Sequence, residues 1–390
     1  MKKLMILAAT AAVVLASCAK SEVYQNTREE NAIAFGVYAG KTPLTKATYG
    51  DITTDNLKTS ADGFGVFAYY TQADDWAATF KPNFMYNQKV KYNESANTTL
   101  YPAKWEYTPL KYWPNGQNST TVEAGTYNDK LSFFAYAPHY ASFGTEGVTA
   151  ISANNVAGVP VVSFTVPAKA EEQVDLLWAN PVLDLTKQSL TGTVNFNFKH
   201  ALAKLNVKVQ AVVDAVNPTT ATLDAKTKIV LESLEIKANG TKSGKLSIGS
   251  GNATPNWTDN SGESVVTYTE DSFAATTTVN GKTGFNVTET ATWLNETKSP
   301  MIIPAAIAAG DFVITANYWV ITDDAALDGG YATVQQVIKK TSADVVTFEA
   351  GKKYTVLVCL GLTNVSFAVT EVAAWTDAVG PTVDLPVNFN

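Results

Sequence analysis

Apolar and polar residues alternate with a period of two along most of the chain. Ile33, Phe35 and Val37 are spaced by Ala34 and Gly36, and an apolar residue at every second position marks a strand with one buried face. Residues 64–69 (FGVFAY) and 131–136 (LSFFAY) are dense aromatic runs bounded by turn residues, and they read as strands too. The pattern resumes at Phe196 and Phe198 and over 205–209, 229–236, 312–318, 354–360 and 365–369. No window carries the 3.6-residue period of an amphipathic helix three turns long. Many short strands with Gly, Asn and Pro between them predict an all-β chain of two tandem antiparallel β-sandwich domains, not a doubly wound, cofactor-binding α/β fold. The pattern lapses over residues 184–190 (DLTKQSL), which divides the chain into an N-terminal sandwich at 31–188 and a C-terminal one at 189–390.

The first thirty residues follow a different logic. Met1, Lys2 and Lys3 form a basic start, and residues 4–15 are apolar except for Thr10, a length that suits a secretory signal and is too short for a spanning helix. The segment ends Leu15-Ala16-Ser17-Cys18, which resembles a lipobox. Residues 1–17 are then a lipoprotein signal peptide and Cys18 the lipidated first residue of the mature chain. Its acyl chains, palmitate among them, each contribute about 0.8 kcal/mol per buried CH₂ to membrane anchoring. Residues 18–30 are polar and charged and suit a tether.

Composition narrows the function further. With 390 residues, 46% hydrophobic and 17% charged, the chain has the apolar content of about two packed domains and too little charge for a disordered one. The formal charge is −7, or −9 once Lys2 and Lys3 leave with the signal, and Arg28 is the only arginine. A nucleic-acid partner is excluded on these grounds, because phosphate binding needs a basic stripe. Cys18 and Cys359 are the only cysteines. With Cys18 lipidated no intramolecular disulfide is available.

Candidate chemistry is sparse. Gly36 to Thr42 has three residues between its glycines where a phosphate loop has four, and Pro43 follows in place of a helix start. The acidic pairs Asp74-Asp75, Glu171-Glu172 and Asp323-Asp324 lack calcium-loop spacing and read as solvated turns. His139 and His200 have no nucleophile motif beside them and read as hydrogen-bonded structural histidines. Cys359, inside an apolar run, reads as a small buried hydrophobe. Residues 251–262 (GNATPNWTDNSG) place Trp257 among amides and hydroxyls. That composition can stack on and bond a sugar, although a plain surface loop fits it better.

Four segments together resemble one family. Residues 105–114 (WEYTPLKYWP), 133–138 (FFAYAP), 174–179 (VDLLWA) and 198–205 (FKHALAKL), with Gly351 to Tyr354 and the later Val372-Ala-Ala-Trp375, are similar to the fimbrillin family of Bacteroidetes cell-surface (type V) pilins. The resemblance runs from about Ile33 to the C-terminus. It implies transthyretin-like sandwiches, export as a lipoprotein to the outer membrane, and assembly into fimbriae after a trypsin-like protease removes the first strand. A sandwich lacking a strand exposes unpaired backbone and apolar pockets, and a neighbour's strand repairs both. The position corresponding to the family's cleavage point is Lys46-Ala47, with lysine where the family usually has arginine; Arg28 is the alternative site.

These readings converge on a non-enzymatic fimbrial subunit that needs no cofactor or metal. Its partners are other subunits through strand exchange and the outer membrane through the lipid. A glycan-binding surface lipoprotein or tip adhesin that does not polymerise is the rival. At the C-terminus, Val383, Leu385, Val387 and Phe389 alternate with polar residues or Pro386. Residues 382–390 are either the donated strand or the chain's own last edge strand, since proline is tolerated mainly at edges.

Overall fold

The computed structural model describes residues 32–39, 52–114, 128–169, 172–187, 193–213, 223–249, 255–294 and 299–374. The chain is all-β, as the period-two pattern requires. In the first half the elements are β1 (Ala34–Tyr38), α1 (Thr54–Thr59), β2 (Phe64–Gln72), β3 (Met85–Tyr92), β4 (Trp105–Glu106), β5 (Lys130–Ala137), β6 (Gly147–Ile151), β7 (Val161–Thr165), β8 (Leu177–Ala179) and β9 (Val182–Leu185). The second half has β10 (Thr193–His200), β11 (Ala203–Ala211), β12 (Thr227–Ser247), β13 (Asn256–Tyr268), β14 (Thr277–Val279), β15 (Lys282–Val287), β16 (Thr292–Trp293) and β17 (Met301–Ile302). Then come β18 (Ala306–Ile307), β19 (Phe312–Asp323), β20 (Tyr331–Thr341), β21 (Val346–Thr347), β22 (Lys352–Leu360) and β23 (Val365–Ala374).

The first half departs from a two-sheet sandwich. Strands pair in the order β2-β3-β4-β1-β10-β8-β5, and β5 returns to β2, so seven strands close into a barrel. Closure follows from where the apolar residues lie. Phe64, Val66 and Ala68 of β2 and Leu131, Phe133 and Ala135 of β5 point to the barrel interior, while Phe67, Tyr69, Phe134 and Tyr136 point outward into a second core. Strands buried on both faces read as continuous apolar runs, which is why 64–69 and 131–136 are so dense.

Strand pairing crosses the division drawn at residues 188 and 189 in both directions. Strand β10, from beyond it, pairs in parallel with β1 and antiparallel with β8. The β6–β7 hairpin, from before it, adds to β12 through five pairs between Val161–Thr165 and 243–247. Strand β12 spans 21 residues. Its first part carries the C-terminal core with β19, and its last residues reach the intermediate core with Leu246. The C-terminal core lies between two sheets, β16-β11-β22-β23 and β15-β12-β19-β20, and is mostly aliphatic.

Two local expectations change. Residues 256–268 form β13, where the sequence suggested a loop: Trp257 is opposite Leu246 in the ladder, its ring meets Phe164 edge-on, and its indole N–H donates to the Ala201 carbonyl (2.8 Å). Cys359 is half-buried on the face of β22 away from the core formed by Val356, Val358 and Leu360, and burial pushes its thiol pKa up.

Candidate functional site

The barrel wall is uneven, and its thinnest seam lies between β1 and the two-residue β4. Strand β1 is five residues long. It meets β10 in a parallel register from Ala34↔Thr193 to Tyr38↔Asn197, but meets β4 at the single pair Phe35↔Trp105. A bridge from Ala32 to Tyr112 and a bond from the Ile33 N–H to the Lys111 carbonyl (2.9 Å) extend that seam.

Side chains do most of the holding. Ile33 and Phe35 are both fully buried. Phe35 stacks on Phe196 (5.9 Å between centroids) and meets Phe64, Tyr107 and Phe133 at 5.3 to 6.3 Å. Burying such side chains contributes on the order of 1.5 to 3 kcal/mol each, with aromatic pairs adding about 0.5 to 1.5. Two side chains also bind the backbone of this segment. The buried Tyr107 hydroxyl donates to the Ile33 carbonyl (2.8 Å), and the Ala39 N–H donates to Thr54 Oγ1 (2.8 Å) at the opposite end. Desolvation raises the Tyr107 pKa, so the hydroxyl stays a donor at any ordinary pH.

Gly36 faces out of the barrel. A Cβ there would lie 2.1 Å from Asn195 Oδ1, so the glycine lets Asn195 of the neighbouring strand lie across β1.

Beneath this region Asp175, fully buried, accepts from the Ile52 N–H (3.4 Å) and pairs with His200 Nδ1 at 2.5 Å. His200 is thus a bonded structural residue. His139 is likewise buried, with Nε2 3.2 Å from the Asn87 carbonyl, and desolvation lowers its pKa. Sequence reasoning gave both histidines hydrogen bonds but missed Asp175, whose only signal was its place inside an apolar run.

Among the aromatic residues that carried the family resemblance, Trp105, Tyr107, Trp113 and Phe133 line this barrel and are at most 5% exposed, whereas Phe134, Tyr136 and Trp178 belong to the second core. The proposed processing residues Lys46 and Ala47, the alternative Arg28, the lipidation residue Cys18 and the C-terminal Val383, Leu385, Val387 and Phe389 lie outside the described residues. Lys46 and Ala47 belong to residues 40–51, which join β1 to the segment leading into α1. Among the described residues no cluster of His, Cys, Asp or Glu could hold a metal ion, and no helix is long and apolar enough to cross a membrane.

A short first strand, set in the wall of an aromatic barrel and joined to β4 by a single ladder pair, is the distinguishing feature of this all-β fold. Residues 45–375 match the sequence model of fimbrillin-like proteins, and the chain belongs to that family. It is 28% identical over 404 aligned residues to the fimbrium subunit Fim1C of Phocaeicola vulgatus, covering 96% of this chain and 97% of that protein. It also resembles the crystal structure of a fimbrial protein from Bacteroides vulgatus, with 25% identity and a TM-score of 0.66, over 89% of this chain and all of that one.

Proposed function

We propose that the protein is a structural subunit of cell-surface fimbriae, exported as a lipoprotein through Cys18 and assembled by replacement of β1 with a strand from another subunit. The observation carrying this reading is the asymmetry of β1: Ile33 and Phe35 are deeply seated, yet the strand meets β4 at one ladder pair. Cutting Lys46–Ala47 breaks the covalent link between β1 and the later strands without interrupting any described strand. The vacated slot then presents the backbone of β10 and the pockets of Ile33 and Phe35, which is how strand addition gains both affinity and specificity. The transthyretin-like tandem arrangement enters as part of this proposal, with β10 assigned to the first unit by its pairing with β1.

The occupant is the C-terminal segment 382–390, whose Val383, Leu385, Val387 and Phe389 supply apolar side chains at the required spacing; retention of that segment as the chain's own edge strand is the competing arrangement. Before cleavage the lipid holds the subunit on the outer membrane, and afterwards it forms part of an extracellular fimbrium that supports adhesion. The glycan-binding alternative has less support, because Trp257 is engaged with Ala201 and Phe164 inside the fold.

Limited trypsin digestion followed by mass spectrometry and electron microscopy tests the reading. Early cleavage after Lys46, loss of the β1 fragment and growth of filaments are expected, with filaments absent when residues 381–390 are deleted. Protection of the Lys46–Ala47 bond in the native protein, or filaments formed equally well by the truncated chain, would count against it.

A further inference from the structure

The C-terminal unit has an edge with which no second strand pairs among the described residues. Strand β20 is the last strand of its sheet and pairs with β19 alone among the described residues. Its eleven residues pair without a register shift, and they include no proline. Long, straight, unbulged edges are what monomeric proteins avoid, because a row of free N–H and C=O groups templates another strand. Exposed large apolar side chains also gather here: Leu327, Tyr331, Val334, Val337 and Val345 are each 42 to 66% exposed.

The direction of each backbone group is fixed by two bonds. Asp324 N–H donates to the Gly330 carbonyl (3.0 Å) and Ser342 N–H to the Phe312 carbonyl (2.9 Å). Both extend the register that runs from Val313↔Thr341 to Asp323↔Tyr331. Hydrogen-bonded and non-bonded pairs alternate in an antiparallel ladder. Even-numbered residues of β20 therefore bond inward to β19, and Tyr331, Thr333, Gln335, Val337, Lys339 and Thr341 present their N–H and C=O to the open edge. Even-numbered side chains lie on the core side of the sheet, where Ile338 packs against the C-terminal core and Gln336 donates to the Leu362 carbonyl (2.9 Å).

We propose that β20 is a self-pairing edge: two copies of the chain join antiparallel through it, around a two-fold axis at Gln336, into one continuous sheet. Charge selects the occupant and its direction. The end of β19 and the turn after it carry the exposed Asp323, Asp324 and Asp328, whereas the far end of β20 carries Lys339 and Lys340, with Asp344 beyond. Antiparallel pairing brings the basic end of each copy beside the acidic turn of the other, and parallel pairing would set like ends together. Lysines can also guard an edge, but these two leave residues 331–338 without a charge. Centring on Gln336 pairs all eleven residues, and it sets Val334 of each copy opposite Ile338 of the other. The exposed valine thereby extends the apolar face of the core. This contact is separate from the β1 slot, so it links subunits side by side whether or not strands are exchanged.

Sedimentation velocity on the uncleaved full chain with Cys18→Ser, between roughly 1 and 100 μM, is expected to show a monomer–dimer equilibrium. Val337→Pro removes only an outward N–H and Val334→Lys places a charge opposite Ile338. Each should weaken the dimer roughly tenfold or more while the thermal melting profile stays that of the parent. Gln336→Cys should form a disulfide-linked dimer on mild oxidation, because directly opposed residues of a non-bonded pair have Cα atoms about 4.5 Å apart. Gln335→Cys should not. A parent chain that stays monomeric throughout the range overturns the proposal, as does a dimer that survives both edge variants with their folds intact. Cross-linking at Gln335→Cys in place of Gln336→Cys overturns the pairing. Filament assembly by Val337→Pro after cleavage would leave the proposed strand exchange standing, so the two ideas fail independently.

Discussion

The barrel strand β1 and the C-terminal strands β12, β19 and β22 are retained by different means. Strand β1 has five ladder pairs on one side and one on the other, and its security comes from Ile33 and Phe35 in aromatic pockets. Strand β19 has eleven pairs to β12 and eleven to β20, and β22 has eight to β11 and nine to β23. A net hydrogen bond contributes about 0.5 to 1.5 kcal/mol, so a long ladder spreads its stabilisation over many residues and forms or breaks as a unit. A short strand anchored by a few large side chains concentrates it. The second design suits a removable part, because a different strand with apolar residues at the same spacing recovers most of the energy.

The largest expected effect separates the two designs directly. Phe35→Ala and Leu231→Ala both empty fully buried positions and should cost about 3 to 5 and about 2 to 5 kcal/mol respectively. Their consequences should differ. Urea unfolding monitored with hydrogen exchange is expected to show Phe35→Ala loosening residues 32–39 well before the C-terminal core. Leu231→Ala should lower the C-terminal transition and leave β1 protected. Equal loss of protection everywhere in both variants would show a single cooperative unit and would break the comparison.

The same contrast explains what could be read from the amino acids. Strand periodicity at Ile33, Phe35 and Val37 is local, so β1 was legible, as were β11, β19, β22, β23 and the first part of β12, whereas β20, an edge with no fully buried face, was not. Closure of the barrel was not. It depends on β5 returning to β2 and on β1 lying parallel to β10, about 160 residues away, and alternation carries no partner information. Strand β13 was hidden because Gly251, Asn252, Asn256, Asn260 and Gly262 mimic turn chemistry, whereas tertiary pairing with β12 overrides it. The surroundings of β1 were visible only through the aromatic segments, of which Trp105, Tyr107, Trp113 and Phe133 share its core. Asp175 pairs with a histidine 25 positions away, and no local pattern announces that.

A smaller effect tests how β1 is held at its start. Tyr107→Phe retains the ring against Phe35 and removes the bond to the Ile33 carbonyl. A loss of about 0.5 to 1.5 kcal/mol is expected, and it should be larger for β1 opening, read by exchange of the amides at 33–39, than for any C-terminal amide. Because the hydroxyl reads a backbone carbonyl, the variant should weaken any replacement strand to a similar degree. Unaltered exchange over 33–39 would show that the side-chain pockets alone hold the strand.

The smallest expected effect is a pH dependence confined to the barrel. His139 follows β5, is buried, and contacts the Asn87 carbonyl of β3, which belongs to the barrel wall. Desolvation is the principal cause of its lowered pKa, the bond to Asn87 opposes it, and Lys89 nearby adds to it. A histidine whose pKa is lower folded than unfolded binds its proton more readily in the unfolded chain. Its contribution is therefore fully present above the unfolded value of about 6.5 and is lost as pH falls from there through the folded value. Thermal melting of the parent between pH 8 and pH 5 should show the barrel weakening on the acid side relative to a His139→Gln variant, with no difference between the two in slope above neutrality. The C-terminal transition should be the same in both proteins, since the chain's two histidines, His139 and His200, both lie in the barrel half. If the variant and the parent keep the same acid-side slope, His139 is not the group that couples the barrel to pH.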